Sequence, residues 1–168
     1  MEGEVSAIPG WSDFFVAAAG VAGALAGLVF VSLSINLERI LKLPSAIGRA
    51  GETLFVLAGV LAVALISIVP AQSARHLGVI LLFAAIPVWF LPMLTQLRTY
   101  RQRQYQHVAQ VLLRAALHQF AMLPIVLGAL GLVGAIDGFG ISGVAAGCII
   151  AMLVAMFSAW VLLVEILR

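Results

Sequence analysis

The sequence predicts an all-α membrane protein, a single domain over residues 1–168 built as a bundle of five transmembrane helices. Three observations carry that prediction. The chain is 64% hydrophobic and only 10% charged, with a mean hydropathy of +1.18. Soluble domains sit near about 45–50% apolar and about 25% charged, so too few charged side chains are present to coat a water-soluble globule. Five apolar stretches are each long enough to cross a hydrocarbon core about 30 Å thick. Eight of the nine Lys and Arg residues fall on one side of the resulting topology.

The first span covers about residues 14–37, led by an acidic tail (Glu2, Glu4, Asp13) and an aromatic belt of Trp11 and Phe14. That tail and the length of the span argue against a cleavable signal segment. Ser32, Ser34 and Asn36 end the span without sharing one helical face, so they form no polar file. The second span is expected over about 53–71, after a polar connection at 38–52. The third, about 77–97, follows a turn at 72–76 and contains Pro87 and Pro92, each of which removes a backbone donor and is expected to kink it. The fourth runs over about 104–136, its first turns forming a cytoplasmic extension, with Pro124 inside. A tight Asp137–Gly140 turn leads into the fifth span, about 141–167.

Counting Lys and Arg orients the bundle. Arg39, Lys42 and Arg49, then Arg98, Arg101, Arg103 and Arg114, then Arg168 share one side, against Arg75 alone on the other. The N-terminus is therefore expected outside and the C-terminus inside. Glu52 and Glu165 lie near the inner ends of their spans, where Arg39, Lys42 and Arg49 can form a rim of ion pairs.

Candidate contact residues follow from spacing. Gly143, Gly147, Ala151, Ala155 and Ala159 recur every fourth residue in the fifth span, and Ala19, Gly23 and Gly27 do so in the first. Small residues let membrane helices approach closely, where burial of apolar surface gives no drive. Such faces serve packing within the bundle, an interface between subunits, or both. Gly128, Gly131 and Gly134 form a weaker small face in the fourth span.

On a helix beginning near Gln104, Val108, Val111, Leu112 and Ala115 make an apolar stripe. Arg103, His107, Gln110, Arg114 and His118 lie roughly opposite. This basic face, with Arg98 and Arg101, is a candidate contact for anionic headgroups or an acidic partner, or a solvated face that follows the charge rule.

No cofactor or metal is expected. His107 and His118 lack the spacing of paired imidazole ligands, Cys148 reads as a small buried hydrophobe, and one cysteine excludes a disulfide framework. The run Gly138–Gly143 has the form GxGxxG but connects two spans rather than a strand and a helix. Nothing suggests nucleic-acid binding, and no carboxylate pair or nucleophile motif points to an enzyme. The expected function is that of a scaffold or accessory subunit, associating through Gly/Ala helix faces with itself or with a larger membrane complex. An oligomeric channel or transporter for a small solute or ion is the alternative.

The segments WSDFFVAAAG (11–20), GLVFVSLSINLERI (27–40), RAGETL (49–54) and VPAQ (69–72) resemble a group of small bacterial integral membrane proteins, some labelled modulator of FtsH protease. The resemblance covers less than half of the chain. It implies a bacterial plasma-membrane location and transfers no catalytic or binding residue. The label belongs to a seven-span family, from which a five-span chain departs.

Overall fold

The computed structural model describes residues 10–42, 44–70, 72–101 and 108–167. It is all-helical: α1 (Ser12–Ile35), α2 (Leu37–Leu41), α3 (Pro44–Ser67), α4 (Ala74–Arg101), α5 (Val108–Val133) and α6 (Ile141–Leu167). Among the described residues, all but the short α2 are long and apolar enough to cross a membrane, five helices in total.

Helix ends follow local chemistry. Asn36 interrupts the first helix, its side-chain amide donating to the Ser32 carbonyl at 2.9 Å. Pro44 opens α3 at the first helical position, where a missing N–H costs nothing. Ser73 caps α4, accepting from the His76 N–H at 3.3 Å. At the end of α5, the Ala135 N–H reaches the Leu130 carbonyl and the Gly134 N–H reaches that of Gly131, both at 3.0 Å. Gly134 sits at φ +83°, so this is a Schellman close that only glycine makes without strain.

Two expected boundaries shift. The helix that carries the second span begins at Pro44, ahead of the expected start near Thr53, and the polar connection before it shrinks to little more than α2. A second small core makes this possible: Ile40, Ala46, Ala50 and Leu162 bury together beneath Leu33. In sequence those residues are interleaved with charges, which hides their common face. The helix carrying the third span starts at Ala74 and continues through both Pro87 and Pro92 to Arg101, its apolar part being Ala74–Leu94.

Helices α3, α4, α5 and α6 form a ring in which each packs on the next, and α1 lies on α3 with a lighter contact to α6. Glycines mark the tightest crossings. A Cβ on Gly59 of α3 would meet the Val88 side chain at 2.6 Å, and one on Gly78 of α4 would meet the Ala129 carbonyl at 2.8 Å. Gly128 and Gly131 of α5, a weak small face by their spacing, instead lie directly against the α5–α6 turn and the start of α6. The ring's interior is closed by Val60, Leu81, Met122, Ile125, Val144 and Cys148, all buried. Ser67 adds no polarity to it, because its hydroxyl donates back to the Val63 carbonyl at 2.8 Å.

Candidate functional site: a polar cleft at the basic end

At the glycine-lined end, α5 and α6 touch through backbone. A Cβ on Gly147 would lie 2.7 Å from the Ile125 nitrogen, and one on Gly143 would lie 3.0 Å from the Gly128 Cα. Toward the end that carries Arg39, Lys42 and Arg49, the same two helices are separated by large side chains. A cleft of about 460 Å³ occupies the ring's centre there and draws lining residues from all four ring helices.

The floor of the cleft is polar. Arg49, Glu52 and Thr53 come from α3, Gln96 from α4, Arg114 and His118 from α5, and Ser158 from α6. Glu52 and Arg114 form an ion pair across the ring, with side chains 19% and 16% exposed. The Thr53 hydroxyl donates to the Arg49 carbonyl at 3.0 Å and is thereby satisfied within its own helix. The His118 Nε2 lies 3.1 Å from the Trp89 carbonyl of α4, to which it donates as the N–H. Beside it the Trp89 indole N–H donates to the Gln119 Oε1 at 2.6 Å, so α4 and α5 are held by a polar clip next to the cleft. The walls are apolar: Val56, Leu117, Ala121, Val154 and Val161. The rim is apolar as well, with Leu113, Phe157 and Val164 59%, 50% and 40% exposed, so the cleft opens sideways between α5 and α6.

The sequence pattern puts Arg114 and His118 on an outward basic face opposite an apolar stripe. The structure reverses that orientation: both turn inward, while Leu112 of the expected stripe is 64% exposed. The physical reason is the solvent. In water an amphipathic helix hides its apolar side, whereas in hydrocarbon the polar side gains by pairing inside the bundle. Of Arg98 and Arg101, only the backbone within α4 is described; Arg103 and His107 lie outside the described residues. Glu52, expected at the inner rim, lies about two turns into α3 and pairs with Arg114 of α5.

The small-residue stripes do not each form one face. A spacing of four exceeds the 3.6 residues of a turn, so successive members rotate by about 40° around the helix. In α6, Gly143 and Gly147 face α5, Ala151 and Ala155 are buried, and Ala159 has rotated into an apolar groove beside α1. In α1, Ala19 is buried, Gly23 is half-buried and Gly27 is exposed. Sequence reading missed the outward set Ala17, Gly20, Ala24 and Gly27, whose alternating spacing of three and four keeps one face. A Cβ on Gly20, Gly23 or Gly27 would meet nothing within 4 Å.

Among the described residues no group of three or more His, Cys, Asp or Glu side chains is placed to hold a metal ion. Fold and site together define a class, a multi-pass helical bundle with a laterally open polar cleft. No family profile, curated protein or solved structure matches the chain.

Proposed function

We propose that the chain is a small, non-enzymatic scaffold or accessory subunit of the bacterial plasma membrane, with its N-terminus outside and its C-terminus inside. It associates through the outward face of α1, with a second copy or with a larger membrane complex. One contrast carries this reading. Within the ring, Gly59, Gly78, Gly128, Gly131, Gly143 and Gly147 are packed against neighbouring chain, and only Gly48 and Gly51 near the start of α3 are open among its helical glycines. By contrast, a Cβ added to any of Gly20, Gly23 and Gly27 of α1 would project into open space. Helix α1 is also the least covered span, 17% of its apolar window being buried against 50% for α3. Small residues on a membrane helix lower its cost of close approach to another helix, and here that capacity is unspent.

A channel or transporter needs a polar path, and the ring above the cleft is filled by Val60, Met122, Ile125 and Cys148. The hydroxyls of Ser32 and Ser34 add none, each donating to a carbonyl of its own helix at 2.9 Å.

Photocrosslinking in native membranes tests the association. A photoreactive side chain replacing Ala24 is expected to capture protein, and the same group replacing the outward Phe83 of α4 to capture lipid alone. Equal protein capture from both positions, or none from Ala24, refutes the α1 interface.

A further inference from the structure

We propose that the cleft at the basic end binds one diacylglycerol drawn from the bilayer, its uncharged glycerol head on the polar floor and an acyl chain between α5 and α6. The charges of the floor call for no charged ligand: Glu52 pairs with Arg114, and Arg49 is engaged as well. What the floor holds unspent is neutral. Hydroxyls on these helices turn back to their own backbone at Ser32, Ser34, Thr53 and Ser67, over 2.8–3.0 Å. The Ser158 hydroxyl instead lines the cleft and has no hydrogen-bond partner among the described residues. The Gln96 side chain, 7% exposed, lines it too, its amide likewise unpartnered among the described residues. His118, equally buried, gives its Nε2 proton to the Trp89 carbonyl, which leaves Nδ1 as an acceptor. Buried polar groups are nearly always hydrogen-bonded, so this amide, hydroxyl and ring nitrogen mark where the polar atoms of a ligand belong.

The mixture of donors and acceptor selects the head. Gln96 and Ser158 offer donors that ester carbonyls accept, while Nδ1 of His118 needs a donor, which a free hydroxyl supplies. A diacylglycerol carries both kinds of group. An isoprenoid quinone has acceptors alone and leaves Nδ1 unanswered, and a bare acyl chain answers none of the three. Depth points the same way. His118 and Ser158 each lie six residues inside the apolar stretches bounded by Leu112 and Val164, about 9 Å at 1.5 Å per residue. A charged phosphate is held at the membrane surface by its hydration, whereas a glyceride without one reaches that depth. The remaining lining suits a hydrocarbon chain: Leu113, Leu117, Phe157 and Val161 flank the lateral opening. A volume of about 460 Å³ falls in the range of ligand sites, about 300–1,000 Å³. Water alone would satisfy the floor and leave those walls wet.

The test uses the full chain in phosphatidylcholine nanodiscs doped with a diacylglycerol whose acyl chain carries a photoreactive diazirine. Saturable labelling of α5 and α6 around Leu117, Phe157 and Val161 is expected, suppressed by unlabelled diacylglycerol. Diacylglycerol capped as its methyl ether is expected to compete about fivefold less well, the worth of one neutral hydrogen bond. Ser158→Ala and Gln96→Leu are each expected to weaken labelling by a similar factor, while Ser32→Ala in the α1–α6 groove leaves it unchanged. Phosphatidylglycerol and an isoprenoid quinone are expected not to compete. Labelling that does not saturate would mean a cleft holding water and overturns the assignment. Equal competition by the capped lipid, phosphatidylglycerol or the quinone overturns it too, as does loss of label with Ser32→Ala but not Ser158→Ala. Should Gln96→Leu fail to fold, the wild-type competition series and Ser158→Ala decide the matter.

Discussion

Replacing Gly147 with alanine adds one methyl group where α5 and α6 cross in close contact. That carbon would lie 2.7 Å from the Ile125 nitrogen and 3.2 Å from its Cα. Backbone cannot rotate away as a side-chain tip can, so α5 and α6 must separate, and overpacking of this kind costs about 1–3 kcal/mol. Alanine also favours helix over glycine by up to about 1 kcal/mol, which partly hides the clash. Gly51 supplies the control: it lies on the exposed side of α3, and a Cβ there meets nothing within 4 Å. The difference between Gly147→Ala and Gly51→Ala therefore isolates the contact, with an expected value of about 1–3 kcal/mol. Unfolding of each variant from mixed micelles by rising dodecyl sulfate fraction, followed by circular dichroism, measures it. Equal midpoints for the two variants would refute the close α5–α6 approach.

Three further outcomes are expected in the same assay. Glu52→Gln leaves Arg114 facing an uncharged partner; because the pair is 19% and 16% exposed, the about 3–5 kcal/mol of a dry pair falls to about 1–3 kcal/mol. The double variant Glu52→Gln, Arg114→Gln is expected to recover much of that loss, and strict additivity would show the two do not interact. Trp89→Phe removes the 2.6 Å donor to Gln119 and is expected to cost about 1 kcal/mol, reduced when Gln119→Leu removes the acceptor too. Gly134→Ala forces a side chain onto φ +83°, for an expected loss of about 1–2 kcal/mol that Gly140→Ala, at a residue without positive φ, does not share.

Helix identity was legible because length and hydropathy decide it locally. The turn at Asp137-Gly138 was legible too, and Gly138 adopts φ +81° there. Boundaries at the basic end were not, because Ile40, Ala46 and Ala50 belong to a core completed by Leu162, more than a hundred residues away. The cleft was legible only in part. Arg114 and His118 stood out in sequence as candidates, but Thr53, Gln96 and Ser158 carry no spacing signal and join them only through the ring.

By itself, then, the sequence determined that five helices are long and apolar enough to span a membrane, and where most of them turn. Those properties depend on runs of neighbouring residues. Tertiary structure alone decided which face of each helix turns inward. A stripe of fourth-neighbour small residues precesses about 40° per step, so Ala19 and Gly27 of one stripe end in opposite environments. The polar face of α5 turns to the bundle, where Arg114 meets Glu52 and His118 meets the Trp89 carbonyl.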